Sequence, residues 1–599
     1  MTETVAEILT AYRSGAATPA DMVARSYARI RAHDDPAIFI TLRDEKDVIA
    51  DAKALEGGDT SLPLYGVPVT VKDNIDVAGM PTTAACPDYL YRARRDATAV
   101  ARLRSAGALI LGKTNLDQFA TGLVGVRTPY GIGRNLFDPK LIPGGSSTGS
   151  ALSVAAGFAP LSLGTDTAGS GRVPAAFSNI VGLKPSLGLI STAGVVPACR
   201  TLDCVSIFAF TVDDALTALK AVAGPDPADP YSRPRPLQPL VPVPEGLKLG
   251  VPLAGQRLFF GDKISAAAYD AALARFVDAG AQIVDVDIEP FYAAARLLYE
   301  GPWVAERYLT AKDLIASSPD SILPVTRQII LAGAHGTAAD AFAAFYRIEA
   351  LRRVRDHIFR SIDALVVPTA PTIYTVEQVL ADPIQLNSRL GTYTNFVNLL
   401  DLCALAVPAS FQPDGTPFGV TLLAPGGEDG KLASIGRQFH HATGLPMGAL
   451  NTPQPPLAQA EPAPVSGEVA LAVVGAHLSG MPLNGELTSA GARLVGAAKT
   501  APHYRLYALA GTKPPKPGLL RVKNGAGKAI EVEIWSLPDA AFGRLVAAVP
   551  RPLSIGTLEL ADGCAVKGFL VEADAVSDAR DISSFGGWRA FVATGDISV

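Results

Sequence analysis

The sequence predicts an α/β protein: a mixed sheet flanked by helices, then a smaller β-rich α/β unit. Three observations lead there. Strand and helix patterns alternate early, with an apolar strand over 64–72, a helix over 96–105 and a strand over 108–114. A Pro- and Ala-rich stretch, NTPQPPLAQAEPAPVS at 451–466, has the composition of an extended, semi-rigid linker. Beyond it, short β-like runs at 529–535 and 566–571 follow a Gly-bounded turn, Gly475-Ala476-His477-Leu478-Ser479-Gly480. The expected division is therefore a domain over 1–450, a linker over 451–466 and a second domain over 467–599.

Each element has a local reason. Thr18-Pro19-Ala20-Asp21 opens a helix, with a Thr cap and Pro at the first helical position, and Met22, Val23, Tyr27 and Ile30 form its apolar face. The run Leu64 to Lys72 reads as a buried strand delivering a lysine at its end, and Lys113 ends the next strand similarly. The Gly-rich stretch 121–135 is a loop over the site, and 151–158 a short apolar helix. Pro-rich 225–244 reads as an exposed connection, 265–279 as an amphipathic helix and 283–286 as a strand. A long helix is expected over 325–362, a buried strand over 364–371, and a surface helix carrying His440 and His441.

Composition narrows the class. In 599 residues, 48% hydrophobic and 18% charged content fits globular domains with large cores. A net charge of −5 without a basic block argues against nucleic acid, and no Lys/Arg-rich amphipathic stretch points to a membrane surface. Five cysteines without a C-x-x-C pair argue against a disulfide framework and a zinc site. The acidic start Met1-Thr2-Glu3-Thr4 lacks a signal pattern, and a cytoplasmic location is expected.

Chemistry concentrates between Pro143 and Lys184. Two small-residue clusters, Gly144 to Ser150 and Gly164 to Arg172, flank a short apolar segment. Neither has the Lys-Ser/Thr ending of a phosphate loop, the spacing of a dinucleotide fingerprint or that of a G-x-S-x-G elbow. A plain flexible linker is disfavoured by the apolar, core-like sequence on both sides. Free N–H groups beside a serine suit an acyl-transfer site, where they hold a developing oxyanion. A serine nucleophile needs a base. No histidine lies between His33 and His335, which leaves a far-off histidine or a lysine kept neutral by burial. Lys72 is the candidate, against the bland reading of an ordinary strand-end lysine.

Three motifs in order, GVPVTVKDNID, PGGSSTGSA and GTDTAGSGRVPAAFSNIVGLKPS, resemble the amidase signature family over roughly residues 5–450. The resemblance implies a Ser-cis-Ser-Lys triad with Ser170 as nucleophile, Ser146 as bridging serine behind a cis peptide, and Lys72 as ultimate base. It implies an oxyanion hole from the N–H groups of Thr167, Ala168, Gly169 and Ser170. Ala168 departs from the commoner glycine, which matters only if that position needs φ > 0. Asp166 and Arg172 read as loop-holding groups, and Lys113 as a surface or structural lysine.

The stretch Tyr299-Glu300-Gly301-Pro302-Trp303-Val304-Ala305-Glu306-Arg307 resembles the substrate pocket of the allophanate hydrolase branch. There a Tyr and an Arg hold a carboxylate, which implies this role for Tyr299 and Arg307, expected on one face of one helix. The alternative is a surface Arg307 paired with Glu300 or Glu306. The second domain resembles the carboxy-terminal domain of that branch, related to γ-glutamyl cyclotransferases. That implies a second-step role for His477, although a histidine in a Gly turn is also a common structural feature; Glu533, on the next expected strand, is a candidate partner for it. The resemblance implies a small-molecule substrate, allophanate, with no metal or organic cofactor. The expected assembly is a homodimer, with a urea carboxylase or cyanurate-pathway enzyme as a possible partner. Competing readings are a general amidase acting on a malonamate-like acid, and a second domain that only mediates assembly.

Overall fold

In the computed structural model the described residues are 3–238, 240, 243–244, 246–457, 468–523, 525–561 and 563–595. The chain divides into two compact units, Met1–Leu237 with Pro244–Ala458, and Gln238–Val243 with Gln459–Val599.

The first unit is built on one eleven-stranded sheet. Its spatial order begins Phe39–Leu42, Leu109–Thr114, Pro68–Lys72, Leu161–Thr165, Val205–Ala209 and Val181–Lys184. It continues Leu402–Phe411, Pro417–Pro425, Ala364–Pro368, Lys248–Pro252 and Gln282–Val286. Pro68–Lys72 runs parallel to both neighbours, as does Lys248–Pro252 to its own; the strands between are antiparallel, so the sheet is mixed. Strands Pro68–Lys72, Leu109–Thr114, Leu161–Thr165, Val205–Ala209 and Ala364–Pro368 are buried at every residue. Both faces are therefore covered, which is why these strands read as apolar runs rather than alternations.

Several expectations shift. The helix Pro19–His33 starts with a full capping box from Thr18 and Asp21. The apolar helix is Thr148–Ala155, starting inside the Gly/Ser cluster rather than at 151. The long helix is two, Pro324–Ala332 and Ala338–Ile358; Gly333 and Gly336 fall in the break, and Thr337 caps the second helix with Asp340. His440 lies buried at 2% exposure on helix Asp429–Ala442, not on a surface. The expected linker at 451–466 begins as packed chain: Thr452 bridges Met447, and Gln454 Nε2 donates to the His440 and Leu445 carbonyls, both at 3.1 Å. Its residues 458–466 lie outside the described residues.

The second unit has a five-stranded sheet in the order Arg493–Lys499, Glu531–Pro538, Glu468–Val473, Ala565–Val571, Leu553–Glu559. A three-stranded sheet, Pro517–Arg521, Tyr504–Ala508 and Arg580–Asp581, accompanies it. Leu471, Tyr504, Trp535 and Phe591 are among its core residues.

Candidate active site

Strand Pro68–Lys72 lies between two parallel neighbours, and its last residue emerges where their carboxyl ends meet the loops. Lys72 is wholly buried. Its Nζ lies 2.8 Å from Ser146 Oγ and 2.7 Å from Thr165 Oγ1. Burial pulls its pKa down from 10.5 to about 7; Asp117, Asp166 and Asp203 oppose that pull and Arg307 adds to it. The ammonium thus loses its proton near neutrality, as a lysine base requires.

Ser146 follows a cis peptide from Gly145. Its carbonyl accepts from the Asp117 N–H at 3.1 Å, and the Asp117 carboxylate accepts the N–H groups of Val124, Gly125 and Arg127 at 3.2, 3.0 and 2.9 Å. One aspartate thereby fixes the serine and the Gly-rich loop. A Cβ on Gly145 would meet Asp117 Oδ2 at 2.2 Å, so the position admits only glycine.

Ser170 sits in a loop organised around Asp166. That carboxylate accepts the Gly169 and Gly171 N–H groups at 2.7 and 3.1 Å, and Arg172 Nε and Nη2 at 2.8 and 2.9 Å. Arg172 Nη2 also reaches the Thr394 carbonyl at 3.2 Å. Asp166 and Arg172 are both fully buried, and their contacts are those of loop-holding groups. Gly169 has φ +132° and rests against Thr394, whose Oγ1 an added Cβ would meet at 2.4 Å. One expected oxyanion donor is thereby removed: the Gly169 N–H is turned inward to Asp166. The N–H groups of Thr167, Ala168 and Ser170 have no protein acceptor among the described residues. Ala168 is not among the residues with positive φ, so its methyl is accommodated.

Arg307 is 3% exposed. Its Nη1 donates to the Ala120 carbonyl (3.3 Å) and Thr121 Oγ1 (3.0 Å), and its guanidinium lies 5.6 Å from the Tyr299 ring centroid. Among the described residues it forms no ion pair; Glu306 instead accepts the Thr201 N–H and hydroxyl at 2.9 and 2.5 Å. Burial works to lower its pKa, but Cys199, Tyr299, Asp203 and Glu306 outweigh it and hold the group above its ordinary value. Tyr299 and Arg307 do not share a helix. Tyr299 ends Glu289–Glu300 and Arg307 belongs to Trp303–Ser317, because Pro302 lacks an N–H and forces Gly301 out of helical geometry. The two side chains meet across that break.

In the second unit, His477 stacks on Phe569 at 5.1 Å, and its Nε2 lies 3.1 Å from Glu486 Oε2. Its partner is therefore Glu486 and not Glu533, which is occupied by Ser479, Trp535 and Arg589. A cavity of about 390 Å³ is lined by His477, Glu486, Lys513 and Lys516. Lys113 is buried, not a surface residue: its Nζ lies 3.3 Å from Asp73 and donates to Thr82 Oγ1 at 3.0 Å. Among the described residues no cluster of three or more His, Cys, Asp or Glu could hold a metal, and no helix is long and apolar enough to cross a membrane. Asp117, Asp203 and Thr394 carry no motif of their own in the sequence. Thr165, beside Asp166 in the GTDT run, carries a local signal.

A family model described as Amidase matches residues 21–433, and one described as Allophanate hydrolase C-terminal domain matches 469–593. A urea amidolyase of Lachancea kluyveri is 45% identical over 579 residues, covering 94% of this chain and 31% of its own length. The chain thus spans 31% of the length of the two curated urea amidolyases it matches. The solved Kluyveromyces lactis allophanate hydrolase superposes with TM-score 0.84 at 42% identity, covering 99% of both chains. The K. lactis urea amidolyase structure gives TM-score 0.85 at 41% identity, covering 100% of this chain and 37% of that one.

Proposed function

Since the chain belongs to the amidase family, with an allophanate hydrolase C-terminal domain behind it, we propose that it hydrolyses allophanate through an acyl-enzyme on Ser170. The observation carrying the substrate assignment is Arg307: a buried guanidinium without a carboxylate partner among the described residues, beside Tyr299. An unpaired buried cation is costly, and a planar substrate carboxylate satisfies it in two-point contact.

Ser170 Oγ attacks the terminal carbamoyl carbon while its proton passes to Ser146, whose own proton passes to neutral Lys72. The oxyanion is received by the N–H groups of Thr167, Ala168 and Ser170. Collapse breaks the C–N bond, and the proton returns through Ser146 to the leaving amine, releasing ammonia. Water, activated by the same relay, then frees N-carboxycarbamate. A substrate held by its carboxylate is oriented for attack, whereas a neutral amide leaves Arg307 unpaired. In the second unit the cavity lined by His477, Glu486, Lys513 and Lys516 offers two lysines to an anion such as N-carboxycarbamate, with Glu486 taken up by His477, and we assign decarboxylation there. The similarity to urea amidolyases supports a urea carboxylase as the source of allophanate.

The test is ammonia release from fresh allophanate, malonamate and a neutral amide by the wild type, Ser170→Ala and Arg307→Ala. Preference for allophanate, abolished by both substitutions, is the expected result. Equal turnover of the neutral amide, unimpaired by Arg307→Ala, would overturn the substrate assignment.

A further inference from the structure

Residues 198–203 form a turn with ties in two directions. Towards the nucleophile loop, Asp203 Oδ1 accepts the Thr167 hydroxyl at 2.5 Å. The same carboxylate accepts the turn's own N–H groups, Cys199 at 3.1 Å and Ala198 at 2.9 Å. Asn398 Nδ2 adds a second tie, donating at 2.7 Å to both the Leu202 and Asp166 carbonyls. Towards helix Trp303–Ser317, Thr201 gives its N–H and hydroxyl to Glu306, the residue before Arg307. Cys199 Sγ also reaches the Trp303 carbonyl at 3.4 Å. Asp203 is 8% exposed and Arg307 3%, so the network lies largely out of water.

We propose that this turn is a bridge between the carboxylate anchor and the oxyanion loop, with Asp203 and Thr201 as positioning residues at its two ends. Thr167 is the first residue of the loop whose N–H groups face the reacting carbonyl, and its side chain is fixed only through Asp203 among the contacts of the described residues. Arg307 is placed by a helix whose first turn is pinned to the same six residues. Anchor and oxyanion donors therefore share one support. A shift at either end is transmitted through short, buried hydrogen bonds rather than absorbed by solvent. Selectivity for a carboxylate-bearing substrate then appears in kcat as well as in KM, because a substrate that does not seat at Arg307 leaves the loop less well held. The bridge rests on the acyl-enzyme reading above for its chemistry.

The test is a double-mutant cycle on the full chain with ammonia release as the readout. Asp203→Asn and Thr167→Val are each expected to lower kcat by about 10- to 100-fold, below the full loss of an oxyanion donor, with KM within about 2-fold. Thr167→Ser keeps the hydroxyl and is expected within about 5-fold of wild type; this rescue separates positioning from a general folding defect. In an Arg307→Ala background, Asp203→Asn is expected to cost less than about 3-fold more, since coupled residues are not additive. Wild-type kcat in Thr167→Val, or full multiplication of the Asp203 and Arg307 losses, would overturn the bridge. Wild-type preference between allophanate and a neutral amide tests the substrate assignment alone. The Thr167 pair, measured on whichever amide is hydrolysed, tests the bridge, so the two fail separately.

Discussion

If Lys72 is the terminal base, activity must follow its deprotonation. The perturbation is pH alone. Burial brings the folded pKa from 10.5 to about 7, and only the neutral amine can take the proton relayed by Ser146. The neutral fraction is then about a tenth at pH 6, a half at pH 7 and nine-tenths at pH 8. Activity should rise about fivefold from pH 6 to pH 7, approach tenfold per pH unit below 6, and level off above 8. The assay is initial-rate ammonia release between pH 5.5 and 9, with kcat/KM reporting the free enzyme. Lys72→Arg keeps a cation in place but cannot deprotonate, and should be inactive throughout. A profile flat across this range, a midpoint near the ordinary lysine value, or activity in Lys72→Arg would refute the assignment.

Gly169→Ala places a methyl 2.4 Å from Thr394 Oγ1 at φ +132°. It should abolish turnover and lower the melting temperature, as calorimetry would report; an active variant would show that the loop can move aside. Asp214 is buried, its Oδ2 unpartnered, and burial lifts its pKa from 3.8 to about 7. Between those values the folded state binds more protons than the unfolded one, so its burial costs stability increasingly up to pH 7 and fully above it. Asp214→Asn can still accept the Val5 N–H. It should stabilise by up to about 4 kcal/mol at pH 8 and by little at pH 4, measured by urea titration. His477→Ala should slow carbon dioxide release without slowing the first ammonia; unchanged turnover with altered mass in light scattering would favour an assembly role instead.

What was legible in the sequence was local. The strand ending in Lys72 and the two Gly/Ser clusters announce themselves because burial and tight turns restrict composition over a few consecutive residues. The caps of Pro19–His33 are legible for the same reason. Breaks inside helical patterns were read less well: Gly301-Pro302 divides Tyr299 from Arg307, and Gly333 to Gly336 divides the long helix, though both carry breakers. Apolar strands such as Val205–Ala209 and Pro417–Pro425 gave no period to read, since both faces are covered. Long-range partners left no signal. Thr394 meets a loop 225 positions earlier only because the sheet places them together. Glu533 lies in the expected strand at 529–535 yet serves Ser479 and Arg589, while the less conspicuous Glu486 takes His477.

The sheet order also bears on how the protein comes into being. Lys72, Ser146 and Ser170 all lie in the first third of the chain, yet strand Val181–Lys184 has Leu402–Phe411 as its neighbour on one side. Asn398 and Thr394, which brace the loop Asp166 to Arg172, are made just before that strand. A growing chain therefore carries all three of these side chains long before the support for them is made. At translation rates of about 5–20 residues per second, the interval lasts about ten seconds or more. During it the edge of Val181–Lys184 that pairs with Leu402–Phe411 has no partner strand to meet. The strand pair Leu402–Phe411 and Pro417–Pro425 that closes this side of the sheet exists only after the residues near 425 have left the ribosome.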